Sequence, residues 1–383
     1  MQKPTFRYLL LFSVILFTLS CNTARLTIQS VANISSLKFL GGYDIPYNLM
    51  YNNTTVGGLS GIDYDVKHDL YYLISDDRSE KDPARFYTAR IFFTQTGIDS
   101  VAFTGIKTLL QPSGLGYPNS KLNPYHTTDP EAIRYNPNSK QLIWTSEGER
   151  IVRVNDTVLK NPSVILINSN GRYIDSFVLP GNLSMQPTEK GPRKNAVLEG
   201  MSFADNYKTL FVNVEEPLYE DGPRADIYDN NAYIRIFKFD VTRKNNTAQF
   251  AYKLSPVAFP ADPVTEFKIN GVPDILSIGH NKLLVIERSF STGRLPSTIK
   301  IFIADLNTAS DISRITLLNN KEFIPASKKL LLNMDDLGIY IDNIEGVTFG
   351  PRLPNGHKTL IFVADNNFNV EQKTQVLLFE VVE

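Results

Sequence analysis

Leu59-Ser60-Gly61-Ile62-Asp63-Tyr64-Asp65, a short polar turn, and then Leu70-Tyr71-Tyr72-Leu73-Ile74-Ser75-Asp76-Asp77 is the stretch whose reading decides the fold. Both halves are rich in β-branched and aromatic residues, and Lys67-His68-Asp69 lies between them, so the unit reads as a β-hairpin ending in acid. The same layout recurs four times. Pro130-Glu131-Ala132-Ile133-Arg134-Tyr135 leads into a strand ending at Glu147. Leu198-Glu199-Gly200-Met201-Ser202-Phe203 leads into one ending at Glu215, and Pro273-Asp274-Ile275-Leu276-Ser277-Ile278 into one ending at Glu287. Ile344-Glu345-Gly346-Val347-Thr348-Phe349 leads into one ending at Asp365. The anchors Ser60, Glu131, Glu199, Asp274 and Glu345 stand 71, 68, 75 and 71 residues apart, and a regular period of this kind marks a repeat architecture.

A third strand follows in every unit: Ala89–Thr94, Ser163–Ile167, Tyr233–Phe239, Thr298–Ala304 and Thr374–Phe379. A fourth follows in four of them: Asp99–Leu109, Tyr173–Leu179, Gln249–Phe259 and Glu322–Leu332. The fifth unit reaches Glu383 without one, while a spare strand, Ser36–Tyr43, stands at the other end of the domain. The prediction is an all-β chain folded as a single β-propeller of five four-stranded blades over residues 35–383. The N-terminal strand completes the last blade, so the ring has no open edge. Blade repeats usually run nearer 40–50 residues. These units therefore carry long loops, expected at Tyr43–Val56, Gln111–Asp129, Pro180–Val197 and Glu216–Asn231, and a sixth, diverged blade is the alternative count.

Lys3 and Arg7 precede Tyr8–Ser20, an uncharged apolar run of 13 residues, the length of a signal-peptide core and too short to span a bilayer. Thr18-Leu19-Ser20-Cys21 is a loose form of the bacterial lipobox and holds the single cysteine. Residues 1–21 are thus expected to be a lipoprotein signal peptide with Cys21 lipidated, and residues 22–34 a tether. The domain is expected to be extracytoplasmic and lipid-anchored in the bacterial cell envelope, in the periplasm or at the outer membrane. The other reading is an ordinary signal peptide with an incidental cysteine.

Charge is balanced, 39 Lys+Arg against 40 Asp+Glu, so no basic field exists for nucleic acid. Hydrophobic residues make up 42%, enough for an ordinary core.

In a propeller the first strand of each blade lines the central channel. Glu131, Glu199, Asp274 and Glu345 open such strands and would form a ring at one mouth. The second strands end near that mouth with Asp76 and Asp77, Glu147, Glu215 and Glu216, Glu287, and Asp365. Two carboxylates about 6 Å apart repel by roughly 3 kcal/mol at an effective dielectric near 20. Arginines, protons or a cation must offset this. Oxygen donors without histidine or cysteine suit Ca2+, with Mg2+ as second choice. Glu131, Glu199, Asp274 and Glu345 are the candidate ligands. Glu131 and Glu199 are also the candidate catalytic residues, and His126, just before Asp129-Pro130-Glu131, is a candidate general base. Arg78, Arg288 and Arg150 are the candidate substrate-binding cations. The alternative is structural, with each acid pairing with an arginine or capping a turn. Gly58-Leu59-Ser60-Gly61 lacks the fifth-position glycine and the strand-to-helix setting of a hydrolase nucleophile elbow. No phosphate loop, zinc pattern or dinucleotide fingerprint is present.

Gly58-Leu59-Ser60-Gly61-Ile62 with Ser75-Asp76-Asp77-Arg78, Asp129-Pro130-Glu131-Ala132-Ile133 with Ser146-Glu147-Gly148-Glu149, Leu198-Glu199-Gly200-Met201, Ile286-Glu287-Arg288, and Asn343-Ile344-Glu345-Gly346-Val347 with Ala364-Asp365-Asn366-Asn367 together carry a resemblance. The chain resembles the phytase-like propeller domain family, described as esterase-like activity of phytase. The resemblance implies a secreted propeller that hydrolyses phosphate or carboxylic esters, its substrate a small-molecule or envelope-derived ester. It is similar, more distantly, to alkaline propeller phytases, which implies calcium in an acidic channel mouth. The basic residues available to an anion there are Arg78, Arg150, Arg193 and Arg288. A reading from a different class is a non-catalytic binding or scaffold propeller of the envelope, with exposed loop aromatics such as Tyr43, Tyr117, Tyr125 and Tyr219 as contacts.

Overall fold

A computed structural model describes residues 34–383 apart from 317, 319 and 320. The signal-peptide core, Cys21 and nearly all of the tether lie outside the described residues. No helix among the described residues is long and apolar enough to cross a membrane.

Five antiparallel sheets make a five-bladed propeller. Blade 1 runs from the channel outward as Leu59–Asp65, Leu70–Ser75, Arg85–Thr94 and Gly97–Thr108. Blade 2 is Pro130–Asn136, Gln141–Ser146, Ser163–Asn168 and Tyr173–Ser176, and blade 3 is Leu198–Ala204, Thr209–Val214, Tyr233–Asp240 and Asn245–Lys253. Blade 5 is Asn343–Gly350, Thr359–Asp365, Thr374–Val382 and finally Ser36–Ile45, so the first strand of the domain closes the ring on the last. Ser36 stands opposite Val382 and Ile45 opposite Thr374 in that antiparallel pair.

Blade 4 departs from the pattern. Its inner position is split into Lys268–Gly271 and Ile275–Gly279, both paired with Lys282–Ser291, which continues into Arg294–Asp305 and Ser327–Asn333. Asp274 falls in the break between the two inner segments rather than at the start of a strand. Two small hairpins that the repeat does not announce are inserted in the loops, Met50–Tyr51 with Thr54–Thr55 and Glu149–Ile151 with Val158–Lys160.

The core lies in the seams between blades. Successive residues of a strand point to opposite faces, and each blade is covered on both. In blade 1, Leu73 and Tyr87 pack against Ile361 and Leu378 of blade 5, while Ile74 and Phe86 pack against Ile133 and Trp144 of blade 2. Phe362 and Leu360 face Leu284 and Ile301 of blade 4. Two covered faces explain why the middle strands read as near-continuous apolar runs instead of alternating patterns.

Candidate functional site

Four of the five inner strands carry a register shift at their anchor: between Leu59 and Gly61, Pro130 and Ile133, Leu198 and Met201, and Ile344 and Gly346. A bulge leaves its extra residue outside the ladder and re-aims the side chain. Glu131, Glu199 and Glu345 each sit in such a bulge.

Carboxylates converge there from first-strand starts and second-strand ends. Asp76, Asp129 and Glu131 bring ligand oxygens within 4.8 Å of one another, and Glu131, Glu147 and Glu199 do the same, with Glu131 common to both groups. Asp129 joins from the residue just before blade 2. The carboxyls of Asp76 and Asp129 lie close together, as do those of Glu147 and Glu199, and a proton or a cation between the members of each pair offsets their repulsion. Burial is the main cause of the raised pKa values, with the neighbouring carboxylates adding to it. Asp76, Glu131 and Glu199 are held well above the ordinary range, Glu147 is pushed up to about 8, and Asp129 to about 6 against the pull of Arg78.

Two arginines bracket this acid-only half. Arg78 lies 3.5 Å from Asp129 and pairs with Glu149, which the small Glu149–Ile151 hairpin delivers. Arg288 holds Glu215 at 2.6 Å and Glu345 at 2.7 Å and also donates to the Asn343 carboxamide oxygen. Burial disfavours the Arg288 charge, but Glu215 and Glu345 more than offset it and raise its pKa. Glu345 is itself pushed up to about 8 and Asp365 to about 6, chiefly by burial.

Below the mouth the channel is plugged by Arg134. Its Nε donates to the Met201 carbonyl at 2.7 Å, its Nη1 to those of Ile62 and Ile133, and its Nη2 to those of Ile275 and Val347, both at 3.3 Å. Those carbonyls come one from each blade. Asp274 supplies the counter-charge, both oxygens accepting from Nη2 at 2.9 and 2.7 Å.

Of the residues proposed from sequence, Glu131 and Glu199 meet in the cluster, and Glu345, Arg78 and Arg288 surround it. Asp274 belongs to neither carboxylate group; it is 1% exposed and committed to Arg134 and the Val347 N–H. Arg150 faces the loops instead: it donates to the carbonyls of Gln186 and Thr188 and lies over the Tyr219 ring, which Arg193 covers at 4.4 Å. His126 is exposed and joins neither group. Asp77 turns away from the mouth, capping the backbone N–H of Glu80, Lys81 and Asp82 and pairing with Arg85 at 2.7 Å. Glu287 is taken by Tyr252, Asn270 and Lys328.

A model of one protein family, described as phytase-like, esterase-like activity of phytase, matches residues 54–368. The chain belongs to this family. No curated protein matches. Among solved structures, the phytase-like chain is similar to the periplasmic gluconolactonase of Pseudomonas aeruginosa, with 10% identity, 86% of this chain and 90% of that one covered, and a TM-score of 0.38. A putative 6-phosphogluconolactonase of Bacteroides fragilis gives 12%, 92% and 92%, and 0.37. An exo-β-1,3-galactanase of Phanerochaete chrysosporium gives 12%, 89% and 64%, and 0.44.

The phytase-like ring also builds what its sequence did not announce. A cavity of about 950 Å3 opens beside the mouth, with Glu215, Arg288 and Asn343 at its inner end and Phe267, Phe290 and Leu295 along one wall. Of these, the sequence pattern points only to Arg288 as a substrate-binding residue. The signal that could have found the rest is the β-pattern Phe267-Lys268-Ile269-Asn270 preceding the fourth anchor.

Proposed function

We propose that this protein is a metal-dependent hydrolase of phosphate or carboxylic esters, acting at the acidic mouth of its propeller. The observation that carries the reading is the convergence of Asp76, Asp129, Glu131, Glu147 and Glu199 in two groups that share Glu131, with Arg78, Lys160 and Arg288 as the cations beside them. Family membership supports the same chemistry.

The donor set suits a hard cation. It is all oxygen, it offers more than one group of carboxylates, and it contains no histidine or cysteine, which favours Ca2+ over zinc, while Mg2+ demands a tighter octahedron. Asp76, Asp129, Glu131, Glu147 and Glu199 would hold it. A bound cation of this kind polarises an ester oxygen and acidifies a coordinated water. The chain's own groups do the rest. Arg288 and Arg78 orient the anionic or carbonyl end of the ester. A carboxylate of the cluster accepts a proton from the attacking water. The new bond forms from water oxygen to phosphorus or acyl carbon, the bond to the leaving oxygen breaks, and that oxygen departs as the alcohol with the proton the carboxylate took from the water.

The test is turnover of p-nitrophenyl phosphate and p-nitrophenyl acetate by the purified domain with millimolar Ca2+, with Mg2+ and with EDTA. Turnover with Ca2+ that EDTA abolishes is the expected result, and Glu131→Gln should lower it by at least about a hundredfold. Background rates under every condition would remove the enzyme reading and leave a binding propeller.

A further inference from the structure

The extra strand of blade 4 makes a surface that the other blades lack. Lys268–Gly271 pairs with the outer part of Lys282–Ser291, with Gly271 opposite Arg288 and Ile269 opposite Phe290. Residues two apart on a strand share a face, and directly opposed residues share it as well. One face of this two-stranded ribbon therefore runs from Arg288 and Gly271, through Phe290 and Ile269, to Phe267. It starts at the acidic mouth and ends in apolar rings. Gly271 is required at the inner end, because a Cβ there would stand 2.5 Å from the Glu215 side chain that holds Arg288.

The outer end is not filled core. Phe267 is 49% and Leu295 61% exposed, yet both line the same concavity of about 950 Å3. The Phe267 and Phe290 rings stand 6.3 Å apart at 38°, a wall rather than a closed stack. Exposed apolar groups gathered in a concavity mark a ligand surface, and this volume lies within the range of small-molecule sites. The rim carries charges of both signs, Glu216, Asp342 and Glu371 among them, and Arg224 pairs with Glu216 at 2.9 Å. Arg224 lies 6.0 Å over Phe267, and Arg294 lines the same cavity.

We infer that this ribbon and cavity seat the non-reacting part of the substrate, so that the substrate class is an aryl-sized, apolar ester whose anionic or carbonyl end reaches Arg288. The inference rests on the hydrolase reading for the position of the ester and on the ribbon alone for the apolar body.

Two measurements separate the two. The first is KM and kcat for 2-naphthyl phosphate and for methyl phosphate, on the calcium-loaded wild type, Phe267→Ala and Phe290→Ala. The second is calorimetric binding of naphthylmethylphosphonate and of methylphosphonate, which cannot be hydrolysed. The ribbon predicts that each variant raises KM for the naphthyl ester on the order of tenfold, with kcat and the methyl ester nearly unchanged. It also predicts that naphthylmethylphosphonate binds wild type at least about tenfold more tightly than methylphosphonate and that Phe267→Ala removes the difference. Binding selectivity without any turnover would keep the apolar seat and sink the hydrolase. Equal KM shifts for both esters, or equal affinity for both phosphonates, overturns the inference. Phe267 is half exposed, so an unchanged melting temperature in Phe267→Ala shows that the fold has survived.

Discussion

Arg134 puts one guanidinium where five inner strands present a carbonyl each, and the buried Asp274 completes its coordination. Burial pushes the Asp274 carboxyl up to about 6 even against the pull of Arg134. Removing one partner of such a pair leaves an uncompensated buried charge, which costs about 3–5 kcal/mol, whereas removing both costs much less. Arg134→Met is therefore expected to lower the melting temperature by about 5 °C in a chain of this size. The double variant Arg134→Met with Asp274→Leu should recover a large part of the loss. Thermal unfolding of the two proteins side by side decides it. If the double variant is no better than the single, the loss comes from the carbonyls and not from the charge.

At the scale of the element, the inner strands work because a small residue follows each bulged anchor. Gly200 lets blade 3 approach blade 4 so closely that an added Cβ would lie 2.5 Å from the Asp274 Cα and 2.6 Å from the Asn213 Oδ1. Backbone cannot move aside as a flexible side chain does, so Gly200→Ala should cost about 1–3 kcal/mol. It should also weaken any calcium response, since Glu199 is its neighbour on the bulge. Gly181 faces open space, and Gly181→Ala is expected to leave the melting curve within about 0.5 kcal/mol of wild type. Equal effects from the two substitutions would show that the blades can slide apart to admit a methyl group.

For the whole molecule, the mouth couples stability to pH and to cations. Asp76, Asp129, Glu131, Glu147, Glu199, Glu345 and Asp365 all hold protons more firmly folded than unfolded. A raised folded pKa contributes stability fully present below the unfolded value, near 4, and lost as pH rises through the folded values of about 6 to about 8. Metal-free protein should accordingly melt at lower temperature at pH 8 than at pH 5. A cation that binds only the folded state stabilises it by about 2.7 kcal/mol at a hundredfold excess over Kd, roughly 4 °C here. Because the cation displaces protons, its increment should grow from pH 5 to pH 8. Glu131→Gln should remove the increment and Asp274→Asn should not. Scanning calorimetry with Ca2+ and with EDTA at both pH values is the check, and a calcium increment that ignores pH would rule the carboxylate cluster out as the site.

The number of blades, their strand order and the closure by Ser36–Ile45 were legible in the sequence, because turn residues and strand composition are local and repeat about every 70 residues. That acids gather at one mouth was legible too, since they recur at the starts and ends of equivalent strands. Which acids meet was not. Asp76 and Asp77 are neighbours, yet one joins the carboxylates of the mouth and the other pairs with Arg85, because successive side chains point to opposite sides and only the fold sets which one turns inward. Glu287 and Asp274 have the right spacing but are claimed by Lys328 and Arg134. Arg134 and Asp274 are 140 residues apart, and no local pattern specifies that pairing. The sequence by itself determined a closed ring of β-blades with an acidic repeat, through short-range periodicity. Only the tertiary structure decided which carboxylates converge, where one arginine closes the channel, and how blade 4 leads an apolar ribbon to the mouth, because those depend on contacts between blades far apart in the chain.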